Sequence, residues 1–180
     1  MRAFFGLSPD THTKLAIEVW RNKAFSHFDA PVPAANFHVT LAFLGRISPR
    51  QLDVLFERVP KISGIHTFDV ALNHVGYWSK PKALWLGCQY TQDGHRTLSK
   101  ILTQTANSIS LQLPKQDYVA HLTLARKCSV NPPTPLIEPD FNWHNAAFHL
   151  FESVSGKKGV SYHIRHTWQL AKKCDFELKC

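Results

Sequence analysis

Two kinds of hydrophobic pattern alternate along the chain, one with helical spacing and one with the period of a half-buried strand. Helical patterns follow Ser8-Pro9-Asp10 and Ser48-Pro49, where a serine cap and a proline at the first helical position indicate a helix start. A third helix is predicted over 95–110. The positions expected to be buried on the three helices are Leu15, Ala16, Val19 and Trp20, then Leu52, Leu55, Phe56 and Val59, then Leu98, Ile101, Leu102 and Thr105.

The strand patterns are short and bounded by turn residues. The segment 131–139 holds four prolines and is predicted to be a loop. Because several strands are half-buried and follow one another as hairpins, we predict an α+β fold with antiparallel sheets, not a doubly wound parallel sheet. The predicted strands are 2–7, 36–45, 67–78, 82–90, 120–127, 146–154 and 161–171.

Length and composition favour a single cytoplasmic domain. The 180 residues, 44% of them hydrophobic, suit one two-lobed domain over 1–180. The four cysteines form no C-x-x-C pair, as is typical of a reducing compartment. The opening "MRAFFGLSPD" has too short an apolar run for us to expect a signal peptide, and no apolar run approaches the length of a membrane span. Without heptads or an exposed apolar stripe, we expect a monomer that binds no membrane.

The net charge of +8, from 21 basic and 13 acidic residues, attracts polyanions and makes nucleic acid the first candidate partner. The same charge also occurs in small proteins that bind no RNA. The basic clusters "SGKKG" and "AKKC" are short, so they do not form a basic tail. No glycine-rich phosphate loop occurs, which argues against a nucleotide-triphosphate motor or a nicotinamide enzyme.

One five-residue pattern, His-aliphatic-Thr-Leu-Ala, occurs twice, at 38–42 and at 121–125. A bare H-x-T pair carries little information, with about 0.7 expected by chance. The five-residue form is expected on the order of 0.001 times, so the repeat is significant. The other nine of the eleven histidines are expected to be structural.

Strand alternation predicts what this repeat displays. His38, Thr40 and Ala42 would share one face, while Val39, Leu41 and Phe43 would pack into the core. In the second copy, His121, Thr123 and Ala125 would share a face, with Leu122 and Leu124 inward. If a pseudo-twofold relates the two lobes, two imidazoles and two hydroxyls converge.

This set of groups suits displacement at phosphorus without a metal or any other cofactor. Two imidazoles that titrate near neutrality can act together as general acid and general base. Hydroxyls can donate hydrogen bonds to phosphoryl oxygens. A metal site is the lesser alternative, because threonine is a poor zinc ligand and neither segment holds a carboxylate or a cysteine.

The two H-x-T-x motifs resemble the signature of the two-histidine phosphoesterase superfamily. Within it, the chain resembles the bacterial RNA 2′,3′-cyclic phosphodiesterases, also called 2′-5′ RNA ligases. The resemblance covers nearly the whole chain, through "RAFFGL", "NFHVTLAFLG", "VGYW", "LWLGC", "AHLTLARK", "FNW" and the closing strands. It implies a bilobal fold in which two pseudo-symmetric antiparallel sheets face a central cleft, with helices outside.

The resemblance also implies the reaction, hydrolysis of an RNA 2′,3′-cyclic phosphate to a 2′-phosphate, with 2′-5′ ligation as its reverse transesterification. His121 would activate water and His38 would protonate the departing 3′ oxygen. Thr40 and Thr123 would bind the phosphate oxygens, joined by Arg126, which strand parity puts on the core side unless a bulge intervenes. Phe5 is a candidate platform for the terminal base, with a core role as its alternative, and Tyr162 is a candidate for the cleft wall.

Two alternatives stay open at this point. A module that binds RNA ends without catalysis would retain the cyclic phosphate unchanged, although both motifs are intact here. The substrate is expected to be RNA with a cyclic phosphate end, with tRNA halves as one source. A small cyclic nucleotide is the other substrate class, although the positive charge favours longer RNA.

Overall fold

A computed structural model describes residues 1–113, 117–157 and 159–172. Cys174, Cys180 and Lys158 of the "SGKKG" turn lie outside the described residues. Three α-helices and nine strands are assigned within them, together with 3₁₀ turns at Ala34–Asn36 and Val59–Lys61. In chain order the elements are β1 (Arg2–Leu7), α1 (Thr11–Ala24), β2 (Val39–Arg46), α2 (Pro49–Arg58), β3 (Phe68–Leu72), β4 (His74–Trp78), β5 (Ala83–Gly87), α3 (Asp93–Asn107), β6 (His121–Ala125), β7 (Phe141–Asn145), β8 (Ala147–Gly156) and β9 (Gly159–Gln169).

Seven strands form one sheet in the order β4-β5-β6-β2-β1-β8-β9, and β3 pairs with β7 in a second sheet. Each of these strand pairs is antiparallel, which confirms the predicted α+β class. The two repeated strands are neighbours, yet they are joined through a single registered pair, Val39 with Leu122. The junction between β6 and β2 therefore divides the large sheet into a three-stranded and a four-stranded group.

The second helix begins where the sequence predicted it. Ser48 caps α2, its side chain accepting from the backbone N–H of Gln51, while Pro49 takes the first helical position. For α1 the predicted N-cap is wrong by two residues. Asp10, not Ser8, accepts from the backbone N–H of Thr13. The carboxylate of Asp10 is the stronger cap, since it also accepts from the Thr13 hydroxyl.

The predicted buried stripe of α1 is wrong in part, since Trp20 is buried as predicted but the rest of the stripe is displaced. Leu15 and Val19 are each 52% exposed, and the buried face holds Ile17 and Arg21 instead. Arg21 can be buried because its guanidinium donates to the carbonyl oxygens of Val32 at 2.6 Å and Leu124 at 3.1 Å. Hydrophobic periodicity scores an arginine as exposed, so the predicted stripe is rotated by about a third of a turn from the observed buried face.

One predicted strand, 67–78, is two strands in the structure. It divides at Asn73 into β3 and β4, which belong to different sheets. The partner of β3 is β7, a strand that the hydrophobic pattern did not indicate. The prediction of β8 and β9 as a hairpin is confirmed, with Gly156 opposite Gly159 at its turn.

One cluster of buried apolar side chains joins both groups of strands to the three helices. Phe5, Ile17, Leu55, Leu98 and Leu122 are among its fully buried members. Within the described ranges, no helix is both long enough and apolar enough to cross a membrane.

Candidate active site

Both repeated strands bulge against the neighbour they pair with at the same position of the repeat. In β2, Ala42 pairs with Phe5 and Thr40 with Gly6, so Leu41 has no partner in β1. In β6, Ala125 pairs with Leu84 and Thr123 with Trp85, so Leu124 has no partner in β5. These are two equivalent β-bulges, and each reverses the alternation of side chains beyond it.

The bulges correct the predicted faces. Ala42 and Ala125 are buried on the core side, not beside the histidines. Phe43, predicted to be core, is 46% exposed on the face that carries Thr40. Arg126 is exposed because the bulge at Leu124 turns it away from the core. The bulge that Arg126 needs in order to face away from the core is therefore present.

Side chains from two helices hold the bulged backbone. The Ser99 hydroxyl of α3 donates to the carbonyl oxygen of Leu41 at 2.6 Å. The Arg21 guanidinium of α1 donates to the carbonyl oxygen of Leu124 at 3.1 Å. Both bonds are buried. The Leu124 carbonyl oxygen also accepts from the Val32 N–H at 2.9 Å, so Arg21 adds a second bond to it. The helices fix the two bulges as well as covering the core.

The two histidines are anchored in the same way. Nδ1 of His38 lies 2.7 Å from the carbonyl oxygen of Asn36, and Nδ1 of His121 lies 2.8 Å from that of Val119. A carbonyl oxygen only accepts, so Nδ1 donates in both rings and carries the hydrogen of the neutral form. Each Nε2 therefore presents a lone pair.

The Thr40 hydroxyl lies beside one of these nitrogens. Thr40 Oγ1 is 3.1 Å from Nε2 of His38. Extending the Val39–Leu122 register by one residue each way puts His38 opposite Thr123 and Thr40 opposite His121. The four polar groups predicted from the repeat thus meet at the junction of β2 and β6.

The surroundings of both histidines favour the neutral imidazole. Burial lowers the pKa of His38 to about 4, opposed by the hydrogen bond to Asn36 and assisted by the positive charges of His121, Arg126 and Lys14. Burial also lowers the pKa of His121, opposed by the hydrogen bond to Val119 and assisted by Arg126. Arg126 is therefore close enough to act on both rings.

Aromatic rings enclose each histidine. The ring of Phe4 lies 4.6 Å from that of His38, and Tyr162 meets the same imidazole edge-on at 4.8 Å. On the other side, Trp78 meets His121 edge-on at 4.5 Å. Tyr162, a candidate for the cleft wall, thus lies against the ring of His38.

Phe5 does not lie in the cleft, which corrects its assignment as a base platform. Its side chain is fully buried and packs against Phe148 and Trp168 on the core face. Strand alternation puts the preceding residue, Phe4, on the opposite face instead, against His38. Of the two adjacent phenylalanines, Phe4 therefore faces the cleft and Phe5 faces the core.

Sequence reasoning also missed Asn36 and Trp78. The side chain of Asn36 accepts from the Tyr162 N–H at 3.2 Å and donates to the Val160 carbonyl at 2.7 Å. One residue therefore orients His38 through its carbonyl and ties β9 to the cleft through its amide. Its position two residues before the histidine was the available signal. Trp78 carried no comparable signal.

A pocket of about 490 Å³ opens beside Thr40 and His121. Phe43, Trp78 and Lys80 contribute to its wall, which continues along α3. Within the described ranges, no group of three or more histidine, cysteine or acidic side chains is arranged to hold a metal ion.

Comparison with known proteins gives consistent matches. A family profile described as LigT like Phosphoesterase matches residues 7–85. The RNA 2′,3′-cyclic phosphodiesterase of Escherichia coli K12 is 28% identical over 177 residues, which covers 95% of this chain and 97% of the relative. The protein of that name from Archaeoglobus fulgidus is 27% identical over 73% of this chain and 78% of its own.

Solved structures agree with these matches. Escherichia coli LigT complexed with 3′-AMP superposes with a TM-score of 0.87 at 26% identity, over 95% of this chain and 98% of that one. The same protein complexed with phosphate gives a TM-score of 0.81 over the same shares of both chains, also at 26% identity.

Proposed function

This chain belongs to the LigT-like phosphoesterase family, and on that premise we propose that it hydrolyses RNA 2′,3′-cyclic phosphate ends to 2′-phosphates by two-histidine acid–base catalysis. The observation that carries the proposal is the matched pair of imidazoles. Both donate from Nδ1 to a carbonyl two residues upstream, which leaves Nε2 as the nitrogen that exchanges protons in each ring.

The proposed reaction is one in-line displacement. A water oxygen attacks phosphorus as Nε2 of His121 takes one water proton. The bond between phosphorus and the 3′ oxygen breaks, and Nε2 of His38 gives its proton to that oxygen. The products are a 2′-phosphate and a 3′-hydroxyl. A bound phosphate anion raises the pKa of both imidazoles, which favours the protonated state that the acid needs.

Three further side chains are proposed to hold the phosphate. The hydroxyls of Thr40 and Thr123 would donate to its non-bridging oxygens, and the guanidinium of Arg126 would neutralise their charge. Thr40 lies 3.1 Å from the His38 ring, and Arg126 acts on the pKa of both histidines, which supports this placement.

The same site would support 2′-5′ ligation. If the 5′-hydroxyl of a second RNA replaces water, its attack forms a 2′-5′ phosphodiester and releases the 3′-hydroxyl. Proton transfer to and from the two histidines is unchanged, so no energy source beyond the cyclic phosphate is required.

We place the reaction in the cytoplasm, catalysed by a monomer acting on RNA ends such as tRNA halves. Cys88 and Cys128 form no disulfide within the described residues, which supports a reducing compartment. Light scattering after gel filtration tests the oligomeric state.

The test is incubation with an RNA oligonucleotide that ends in a 2′,3′-cyclic phosphate, with EDTA present. We expect conversion to the 2′-monophosphate by the wild type. His38→Ala and His121→Ala should each lower the rate by about 10²- to 10⁴-fold. The exposed His66 provides the control, because His66→Ala removes an imidazole outside the cleft.

Substantial turnover in both single variants would refute the two-histidine mechanism. An unchanged cyclic phosphate across several RNAs and cyclic nucleotides, with retained binding, would identify a non-catalytic RNA-end-binding module. Circular dichroism checks that each variant is folded.

A further inference from the structure

The face that carries His38 continues past it, across β1 and onto β8. Gly6 pairs with Thr40 on one side and with His149 on the other, so Thr40, Gly6 and His149 form a row across three strands. The Cα atoms of Thr40 and His149 are thus two strand spacings apart, about 10 Å. Because Gly6 has no side chain, the Phe151 ring of β8 packs over it, 3.3 Å from where a Cβ would lie.

His149 is connected to both the cleft and a hydroxyl. The Phe151 ring lies 5.7 Å from the His38 ring and 5.7 Å from the His149 ring, so one aromatic side chain bridges the two imidazoles. Nδ1 of His149 lies 2.9 Å from Thr167 Oγ1. When Thr167 donates this bond, Nε2 of His149 carries the hydrogen and can donate to an anion.

Lys14 supplies a positive charge beside the same row. It lies in the first turn of α1, is half-buried, and lowers the pKa of both His38 and His149 through its charge. Within the described part of the chain, no carboxylate lies within 4.0 Å of its ammonium. The first turn of α1 follows a three-residue connection, 8–10, from the end of β1 that carries Gly6, which puts Lys14 near this row. A half-buried ammonium without a counter-ion, whose charge acts on two imidazoles, favours the binding of an anion.

We propose that Lys14, His149 and Thr167 form a second anion subsite that receives the phosphate on the 5′ oxygen of the terminal nucleotide. In an RNA chain this phosphate is the phosphodiester that links the terminal nucleotide to the next one. The inference rests on the proposed function, because the cyclic phosphate must occupy the neighbouring site between His38 and His121.

The position and chemistry of the subsite fit this ligand. It lies about two strand spacings from Thr40, which a single nucleotide can bridge. It lies on the β8 side of His38, whereas the 490 Å³ pocket lies beside His121, so the phosphate and the remainder of the nucleotide need not compete for space. The Lys14 ammonium and the Nε2–H of His149 are donors that suit phosphate oxygens, and the Thr167 hydroxyl fixes the tautomer of His149 that donates.

The experiment compares three substrates that share one terminal cyclic phosphate. The first is a 2′,3′-cyclic mononucleotide with a free 5′-hydroxyl, and the second is the same nucleotide with a 5′-phosphate. The third is a dinucleotide, prepared with either a normal or an uncharged methylphosphonate linkage. The variants are Lys14→Met, Lys14→Arg and Lys23→Met, where Lys23 is an exposed lysine of the same helix.

We expect Lys14→Met to lower, by about tenfold, the ratio of kcat/KM for the 5′-phosphorylated nucleotide to that for the unphosphorylated one. The normal dinucleotide should show the same loss and the methylphosphonate dinucleotide should not. Lys14→Arg should restore most of the ratio, and Lys23→Met should leave it within about twofold of the wild type. The slope of log kcat/KM against log salt for the normal dinucleotide should fall in magnitude by about 0.7.

Equal losses on all substrates would overturn the inference, since Lys14 would then act only through His38. A Lys14→Met effect that persists with methylphosphonate would also overturn it. The same ratios are measured as Kd by calorimetry with 2′-phosphate products, which needs no turnover. A wild type that opens no cyclic phosphate but keeps the Lys14-dependent Kd ratio would refute the proposed function and leave the subsite standing. If Lys14→Met leaves the ratio of Kd values unchanged from the wild type, the subsite is refuted.

Discussion

The Thr40 hydroxyl lies 3.1 Å from Nε2 of His38, on the nitrogen that we propose exchanges a proton with the substrate. Because Nδ1 of this ring donates to Asn36, the neutral Nε2 accepts from Thr40. Arrival of a phosphate offers the hydroxyl a charged acceptor and releases Nε2. The threonine of the repeat thus has one partner before substrate binds and another afterwards.

This exchange predicts the effect of removing the hydroxyl. Thr40→Val keeps the shape of the side chain, and we expect kcat/KM for the cyclic phosphate to fall about tenfold or more, because a charge-assisted hydrogen bond is lost. Thr40→Ser should retain most activity. Steady-state kinetics compares both with Thr97→Val, an exposed position of α3. A Thr40→Val enzyme as active as the wild type would contradict the role.

The pH dependence follows from the lowered pKa values of the two histidines. The free enzyme is active with one imidazole protonated and the other neutral, so kcat/KM should peak below pH 6.5, between the lowered values. The optimum of kcat should lie at higher pH, because the bound phosphate raises both pKa values.

Arg126 provides the matched test of this profile. Its charge lowers the pKa of both histidines, so Arg126→Gln should move both limbs of the kcat/KM profile to higher pH. Arg96→Gln, at an exposed site on α3, should leave the limbs in place. A maximum of kcat/KM above about pH 7.5, or limbs that Arg126→Gln does not move, would count against the electrostatic account.

His95 predicts a loss of stability in acid that is separate from catalysis. Its side chain is fully buried against Phe68, and neither ring nitrogen has a hydrogen-bond partner within the described residues. Burial lowers its pKa from 6.5 to about 4, so the unfolded chain binds the proton more readily than the folded one. The resulting stability is present above pH 6.5 and is lost as the pH falls towards 4.

For this fully buried ring the loss is about 3 kcal/mol of unfolding free energy. His95→Leu should therefore flatten the stability profile between pH 6.5 and 4, measured by urea unfolding at several pH values. An equally steep profile in His95→Leu would assign the acid sensitivity to other groups.

The adjacent phenylalanines of β1 should separate stability from activity. Phe5→Leu should lower the unfolding free energy by about 1 kcal/mol and leave kcat/KM within twofold of the wild type, because Phe5 contacts only core residues such as Phe148 and Trp168. Phe4→Leu should lower kcat/KM, because the Phe4 ring packs 4.6 Å from that of His38. Thermal unfolding measures the stability of both variants, and steady-state kinetics measures their kcat/KM. The reverse pattern would return Phe5 to the cleft.

The strands and the four polar groups could be predicted because period 2 and an improbable repeat both depend on local sequence. The change of face within each strand could not. Leu41 and Leu124 are as apolar as their neighbours, and the bulges depend on partners far away in sequence, Ser99 and Arg21. Strict alternation therefore placed Phe43 in the core, and allowed Arg126 into the cleft only with a bulge.

The stripe of α1 failed for a related reason. A charged side chain is scored as exposed, yet Arg21 is buried because two carbonyl oxygens accept from it. To tell Phe4 from Phe5, one must know which face of β1 each side chain lies on. The pairing of β1 with β2 sets this, and the local sequence does not show it. Each error concerns a tertiary contact that the local pattern does not contain.

The two bulges also bear on regiochemistry. They turn the fifth residue after each repeated histidine towards the cleft, and this residue is Phe43 in one strand and Arg126 in the other. Two identical half-sites would accept a cyclic phosphate in either of two orientations and give a mixture of 2′- and 3′-monophosphates. An aromatic ring on one side and a fixed cation on the other make the half-sites unequal, so a repeated backbone can yield a single positional isomer.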